Sequence, residues 1–193
     1  MMPSRPPLPG VPSAIKVALY NAVPSVVWSV LAFGPVVMYC YRYVAPALLW
    51  TFVGVSLLAY AWPAVWLQRL QLSRHAAVYR QLGVPLVGRF AQQGAMVNGL
   101  LQRHYPAYRA LPGRQGLARL LRTPYQQERF HWAGLLLFAF LGLHAGLAGQ
   151  WRWAGGLTLA NIGYNLYPIW LQQYLRVRIG LVSMKIDRAN SGR

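Results

Sequence analysis

Glu128 and His131 are the side chains whose types and spacing best fit acid–base chemistry, and Glu128 is the only glutamate in the chain. Residues three apart share one face of a helix, so this carboxylate and this imidazole can approach each other. A neighbouring carboxylate fixes the ring tautomer and stabilises the imidazolium, which would make His131 a general base. Two other interpretations of Glu128 stay open: favourable contact with a helix dipole, or pairing with an arginine.

A second polar set lies farther along the chain at helical spacing. Its members are Asn161, Asn165, Pro168, Gln172 and Arg176. At about 100° per residue they cover an arc of roughly 80° on one helix face. The stripe fits either hydrogen bonding between helices or the wall of a polar cleft that opens at Arg176 and Arg178. In the second case Asn165 would join His131 as a catalytic residue, since either Asn165 or an arginine would stabilise an oxyanion.

Residues 68–130 contain no lysine, so arginine is their only basic residue type apart from histidine. The arginines are Arg69, Arg74, Arg80, Arg89, Arg103, Arg109, Arg114, Arg119, Arg122 and Arg129. Arginine holds phosphate through two parallel hydrogen bonds, whereas lysine offers a point charge. Two interpretations fit: charges that set topology and rest on anionic phospholipid head groups, or a subset that holds a phosphorylated substrate. Nucleic acid is not expected, because a surface pressed against lipid is poorly placed for a duplex.

The elements that must position these side chains are four apolar stretches. Charged residues form 11% of the chain and hydrophobic residues 56%, whereas soluble domains carry about 25% charged residues. The stretches contain 22 to 26 residues without Lys, Arg, Asp or Glu, and are bounded by Lys16 and Arg42, Arg42 and Arg69, Arg129 and Arg152, and Arg152 and Arg176. Since about 20 helical residues cross a bilayer core, each stretch is long enough. Four buried helices of a soluble bundle would need a polar face that these stretches largely lack.

We therefore predict an all-α integral membrane protein that forms a single membrane domain over residues 1–193. The predicted transmembrane helices are about 17–39, 46–67, 131–149 and 153–174, with a cytoplasmic, Arg-rich interfacial helical segment at 68–130. With the N-terminus inside, 17 basic residues lie on the cytoplasmic side and 2 outside. This bias predicts a multi-pass protein of the inner cell membrane with both termini cytoplasmic.

Common catalytic and metal-binding patterns are not found in the sequence. It lacks G-x-S-x-G, G-x-x-x-x-G-K-[ST] and H-E-x-x-H, and its single cysteine, Cys40, allows neither an intramolecular disulfide nor a zinc pattern. No metal site and no cofactor are therefore predicted.

Three short segments of the sequence resemble motifs of one protein family. Glu128 to Trp132 resembles E-x-x-H-W, residues 165–168 resemble N-x-Y-P, and residues 172–178 resemble a closing Q-R-Y-N-R-x-R segment. These motifs belong to the glycosyl-4,4'-diaponeurosporenoate acyltransferase (CrtO-type) family, and the resemblance covers roughly residues 79–178. Gln173 and Leu175 stand where the family pattern has Arg and Asn. The resemblance implies transfer of a fatty acyl group onto the sugar of a membrane-bound carotenoid glycoside, a step of carotenoid biosynthesis.

The leading interpretation is a membrane acyltransferase that uses acyl-coenzyme A or an acyl carrier as co-substrate. His131, oriented by Glu128, would remove the proton of a sugar hydroxyl, and that oxygen would attack the acyl thioester. The predicted substrate-binding residues are Arg129, Gln172, Tyr174, Arg176 and Arg178. Predicted partners are the lipid bilayer, anionic phospholipid head groups and the lipid-glycoside substrate. The alternative is a non-catalytic small membrane protein that binds anionic lipid or organises partner enzymes.

Overall fold

The computed structural model describes residues 12–90, 95–106 and 114–191, with side chains for 12–90, 96–106 and 125–180. Helices form all the regular structure in these ranges, which confirms the all-α prediction. They are α1 (Ala14–Tyr43), α2 (Pro46–Leu57), α3 (Ala64–Arg69), α4 (Ala76–Gln81), α5 (Val84–Arg89), α6 (Ala95–His104), α7 (Arg114–Leu147), α8 (Trp151–Asn161) and α9 (Tyr167–Ser191), with a 3-10 turn at Leu58–Ala61 and a π turn at Ile162–Leu166.

The first predicted span is present as α1 and is longer than expected at both ends. Ser13 caps its start, because its Oγ accepts a hydrogen bond from the Lys16 backbone N–H at 3.4 Å. Pro24 and Pro35 lie inside the helix without ending it. A long apolar helix can tolerate such prolines where its side chains are held by neighbouring elements.

The second predicted span, 46–67, is not one helix. After α2 the chain tightens into the 3-10 turn Leu58–Ala61, and Trp62 then adopts an extended backbone before Pro63. A proline disfavours the helical conformation of the residue before it and cannot donate a backbone hydrogen bond. The chain resumes as the short helix α3, so the apolar rod ends at Ala61.

Two helices, not the four predicted, are long and apolar enough to cross a membrane, among the residues described. They are Ala14–Tyr43 and Tyr125–Leu147, while Pro46–Ala61 is a shorter apolar helix. The fourth predicted span, 153–174, lies in a continuous helical rod from α8 through the π turn to α9. This rod is not apolar enough to be a candidate membrane span, because its buried face carries the polar side chains Asn161, Asn165 and Gln173, which lower its hydropathy.

The ends of α1 and α7 and the start of α8 meet at one end of the bundle. The Tyr39 hydroxyl lies 2.7 Å from His144 Nδ1, and the Tyr39 ring packs against Trp153 at 5.6 Å. The adjoining core contains Phe138, Leu141, Ala145 and Leu157 among its buried residues. Because α1 and α7 both finish here, they run parallel, and α2 and α8–α9 return the chain to the opposite end.

The predicted interfacial segment 68–130 holds three short helices, α4, α5 and α6, but its last part belongs to α7. α7 begins at Arg114 instead of near residue 131. α4 and α5 pack on α9, where Tyr79 and Val84 are buried against Tyr174. Residues 1–11, 91–94, 107–113 and 192–193, and the side chains of Arg114, Arg119 and Arg122, lie outside the described part of the chain. Predictions that depend on Arg109 or on the chain ends therefore fall outside it too.

Candidate functional site

Two polar clusters occupy the seam between α7 and the rod that includes the π turn and α9. We call Glu128, Gln71, Tyr79, Gln173 and Arg176 the glutamate cluster. We call His131, Gly134, Asn161, Tyr164 and Asn165 the histidine cluster. Five members of these clusters combine polar side-chain groups with little or no exposure, and each must therefore be satisfied by protein groups or by a ligand. These are Tyr79, Glu128, Asn165, Gln173 and Arg176.

Glu128 is fully buried. Its carboxylate forms a salt bridge with the Arg176 guanidinium, and it accepts a second hydrogen bond from Gln173 Nε2 at 3.1 Å. A buried carboxylate needs both an opposite charge and hydrogen-bond donors, since the desolvation penalty of an isolated charge is large. Glu128 has both.

Gln173 and Arg176 connect this carboxylate to the chain between α3 and α4. Gln173 Oε1 accepts hydrogen bonds from the Leu72 backbone N–H at 3.0 Å and from the Tyr79 hydroxyl at 3.2 Å. Arg176 Nη2 donates to Gln71 Oε1 at 3.3 Å. Burial lowers the pKa of the Arg176 guanidinium, against the effects of Tyr125 and Tyr79, but arginine stays charged in proteins. The glutamate cluster therefore fastens the arginine-rich segment to the α7–α9 seam.

The π turn shapes the histidine cluster. Pro168 has no N–H to donate to the Tyr164 carbonyl four residues earlier, as an α-helix would require. That carbonyl instead faces the His131 imidazole, as does the Asn165 side chain. The Tyr164 ring packs edge-on against the imidazole at 6.0 Å. π turns inside helices recur at functional sites, because they redirect one or two groups without ending the helix.

Asn165 is held by a chain of amide hydrogen bonds. Its Nδ2 donates to Asn161 Oδ1 at 2.9 Å, and Asn161 Nδ2 donates to the Leu135 carbonyl at 3.0 Å. On the opposite side, the Tyr164 hydroxyl and Ser29 Oγ lie 3.0 Å apart, which connects the cluster to α1. These contacts fix the orientation of the side chains around His131.

Two atoms of the histidine cluster remain unsatisfied. His131 Nδ1 and Asn165 Oδ1 are buried and have no hydrogen-bond partner among the described residues. A buried unpaired polar group costs roughly 1–3 kcal/mol. Both atoms belong to groups that face each other, and the tautomer that leaves Nδ1 unprotonated makes both of them acceptors for a ligand that brings hydroxyl groups.

Gly134 gives a direct test of how tightly this cluster is packed. A Cβ added there would overlap Asn165 Oδ1. We expect Gly134→Ala to destabilise the protein by about 1–3 kcal/mol, because the new methyl group must displace the Asn165 amide. Thermal unfolding in detergent, followed by circular dichroism, would measure the change.

Gly142, in the same helix, supplies the matched control. A Cβ there would lie 3.6 Å from Thr158 Oγ1, an ordinary contact. Gly142→Ala should be neutral or stabilise by about 0.5–1 kcal/mol, since alanine is the better helix former. Equal unfolding temperatures for the two alanine variants would show that Asn165 is not held as described.

The predicted site residues fall into different surroundings. Asn165 lies with His131, as expected, but Glu128 lies in the other cluster, and its partners are Arg176 and Gln173. Of the interpretations drawn from sequence, pairing of Glu128 with an arginine is the one that matches these contacts. The predicted orientation of His131 by Glu128 has no contact to support it among the described residues.

The remaining predicted residues lie around the glutamate cluster. Arg129 Nε donates to the Trp62 carbonyl at 2.9 Å, at the break before Pro63. Arg178 is exposed and lies over the Tyr174 ring at 5.7 Å, while Gln172 is half-buried. Arg129 therefore has a structural contact, and a substrate-binding role for all of them stays a prediction.

Several residues of the two clusters were not singled out in the sequence. Gln173 is buried, whereas the sequence predicts its neighbour Gln172 as a site residue, and Gln71 and Tyr79 lie in the predicted interfacial segment. The sequence holds a signal for two of the other residues. Pro168 identifies Tyr164, four residues earlier, as the residue whose carbonyl has no helical N–H donor. Gly134 lies one helical turn after His131. Gln71 and Tyr79 had no such signal, because their contacts depend on tertiary structure.

Two cavities lie outside the histidine cluster. A polar pocket of about 330 Å³ adjoins the glutamate cluster and is lined by Gln68, Gln71, Arg74, Tyr125, Arg176 and Val177. An apolar cavity of about 310 Å³ lies between α1 and α6. Within the described ranges, no three His, Cys, Asp or Glu side chains are grouped to hold a metal ion.

Comparison with known protein families gives a match that covers both clusters. The model of a family described as glycosyl-4,4'-diaponeurosporenoate acyltransferase matches residues 63–184. This range contains every member of both clusters and the whole lining of the polar pocket. No curated protein and no solved structure matches the chain.

Proposed function

This chain belongs to the glycosyl-4,4'-diaponeurosporenoate acyltransferase (CrtO) family, and from that premise we propose that it transfers a fatty acyl group onto the sugar of a membrane-bound, carotenoid-like glycoside. The observation that carries the proposal is the pair of buried, unsatisfied acceptors His131 Nδ1 and Asn165 Oδ1. A sugar offers neighbouring hydroxyl groups, so one hydroxyl can donate to each acceptor.

His131 is the proposed general base. A hydrogen bond from the other ring nitrogen to the Tyr164 carbonyl would leave Nδ1 with its lone pair, which is the tautomer that a base requires. Nδ1 takes the hydroxyl proton as the sugar oxygen attacks the acyl carbon of a thioester. The new C–O bond forms, the C–S bond breaks, and the proton passes from the imidazolium to the leaving thiolate. The products are the sugar ester and a free thiol.

Asn165 is the proposed orienting group for the acceptor. Its Oδ1 would hold a second sugar hydroxyl next to the reacting one, and the amide chain through Asn161 would keep that oxygen in place. Positioning of this kind raises the rate because the reacting atoms are held close together before the chemical step. The second Nδ2 hydrogen remains available to an oxyanion.

Glu128 acts, in this proposal, by holding Arg176 and not by touching His131. The salt bridge fixes the guanidinium beside the polar pocket. Arg176 and Arg178, with Gln172, Tyr174 and Arg129 around them, form the side from which an acyl-coenzyme A or acyl-carrier co-substrate would enter. No further cofactor is required by this chemistry.

We place the bundle in the inner membrane with the glutamate cluster at the cytoplasmic surface. α1 exposes apolar side chains along its length, for example Val30 at 65% and Val37 at 64%, which is the surface that lipid would cover. Arg69, Arg74 and Arg80 lie at the end that holds Glu128, and cytoplasmic ends are rich in arginine. This orientation puts both chain termini on the cytoplasmic side and brings the protein into contact with anionic lipid head groups.

Pigment analysis of a host that makes a glycosylated carotenoid tests the proposed function. Expression of the chain should convert the glycoside to a less polar ester that mild alkali hydrolyses, and liquid chromatography with mass spectrometry would identify it. An unchanged pigment profile in cells whose membranes contain the protein would contradict the proposal.

A further inference from the structure

We infer that the polar pocket beside Arg176 binds a phosphate group, and that its source is the acyl donor. The inference rests on the proposed function, which requires a donor, and it adds where the donor is held and by which chemistry. Coenzyme A and the prosthetic arm of an acyl carrier share a phosphate followed by a long flexible thiol arm. Anionic phospholipid head groups carry the same chemistry and are the other source to be tested.

The charges around the pocket favour an anion. Arg74 is exposed and has no partner among the described residues. Arg176 also lines the pocket, with Glu128 fully buried behind it. Because that carboxylate neutralises one of the two guanidinium charges, the pocket keeps a net charge of about one, which suits a phosphate. The guanidinium of Arg176 has five N–H donors, and its described hydrogen bonds to Glu128 and Gln71 leave some free.

Neutral donors complete the lining. Gln68 Nε2 donates to the Tyr125 hydroxyl at 3.0 Å, so this hydroxyl keeps its own hydrogen for a ligand. The Tyr125 ring lies under the Arg176 guanidinium at 4.6 Å and holds its plane. Gln68, Tyr125 and Arg176 are thus held by contacts with one another, and Arg74 adds a second charged donor to the lining.

The position of the pocket fits a donor with a long arm. Tyr125 and His131 lie on α7, six residues apart, which corresponds to about 9 Å along the helix. A phosphate bound at Tyr125 and Arg176 would leave the arm to run along the α7–α9 seam, past Glu128, to the histidine cluster. A phospholipid whose head group occupied the pocket has no comparable arm for a thioester.

Arg74→Ala tests the pocket, and Arg80→Ala is the matched control, because Arg80 is exposed on the neighbouring helix α4 and does not line it. The probes are coenzyme A and pantetheine, which lacks the phosphates, titrated by calorimetry into the full chain in phosphatidylcholine nanodiscs. We expect wild-type protein and Arg80→Ala to bind coenzyme A at least about tenfold more tightly than pantetheine. Arg74→Ala should lose most of that difference, since a charge-assisted bond to phosphate is removed.

The outcomes distinguish a failure of the pocket assignment from a failure of the proposed function. If wild-type protein transfers acyl groups while Arg74→Ala keeps full affinity for coenzyme A, the pocket assignment is overturned and the function stands. If coenzyme A binding depends on Arg74 but no acyl transfer is found, the pocket stands and the function fails. If coenzyme A and pantetheine bind equally, and Arg74→Ala instead weakens binding to phosphatidylglycerol vesicles, the bound phosphate belongs to a lipid head group. The proposal that the acyl donor supplies the phosphate is then overturned.

Discussion

His131→Ala is expected to lower the rate of acyl transfer by about 10²–10⁴-fold, the range that a general base contributes. The imidazole is the only described group in the histidine cluster able to take a proton from a hydroxyl near neutral pH. Because the substitution removes no hydrogen bond made by Nδ1 to the protein, the variant should still fold. Initial rates at saturating acyl donor, measured with purified protein in nanodiscs, would give the effect.

His144→Ala is the control for this prediction. His144 lies in the last turn of α7, where Nδ1 is hydrogen-bonded to the Tyr39 hydroxyl. Its loss should cost stability but leave the rate per folded molecule unchanged. A His131→Ala protein that is folded and keeps wild-type turnover would show that another group serves as the base.

Glu128→Gln should have the largest effect on stability. The substitution leaves the Arg176 guanidinium, whose side chain is 9% exposed, without its counter-charge. Breaking one partner of a buried salt bridge typically costs about 3–5 kcal/mol. For a chain of this size each kcal/mol corresponds to roughly 2–4 °C, so the unfolding temperature should fall by about 10 °C. Thermal unfolding in detergent would measure it.

A double replacement distinguishes a structural from a catalytic role for Glu128. Glu128→Met with Arg176→Met removes both charges and should recover much of the stability lost in Glu128→Gln, because no unpaired charge remains buried. Arg178→Met, which removes an exposed arginine two residues away, should change stability little. If Glu128→Gln retains wild-type stability but loses turnover, Glu128 acts in the chemistry and not by holding Arg176.

Glu128 therefore has a different role from the one that its spacing from His131 predicts. Its spacing from His131 is compatible with a contact, but its carboxylate pairs with Arg176, which lies 48 residues away. The choice between the two partners is made by how α9 packs on α7, and no local pattern contains that information. Both residues nevertheless lie along the same seam between α7 and α9.

The helical architecture was largely predictable, and its exceptions have local causes. The charge-free runs located α1 and the apolar part of α7, since nothing but a helix satisfies the backbone of such segments in lipid. Pro63 shows why α2 stops short, and this break follows from proline chemistry alone. The sequence did not predict that α7 begins at Arg114, because the part of α7 before Tyr125 is polar and arginine-rich and so resembles a surface segment.

The candidate site was predictable in part. Asn165 was found because helical spacing aligns it with Asn161 and Arg176 on one face. Gln173, one residue from that stripe, was passed over, although it is the buried amide that links Glu128 to the segment before α4. The π turn explains the miss, because it shifts the helix register between Asn161 and Tyr167 and changes which residues face inward.

The mass of a glycosylated carotenoid after incubation with purified protein and a deuterated fatty acyl-coenzyme A tests the proposed acyl transfer itself. We expect a mass increase equal to the labelled acyl group minus one hydrogen, with fragmentation that places the acyl group on the sugar, and release of one equivalent of free thiol. An unmodified glycoside in the presence of folded protein, or an acyl group attached elsewhere than on the sugar, would contradict it.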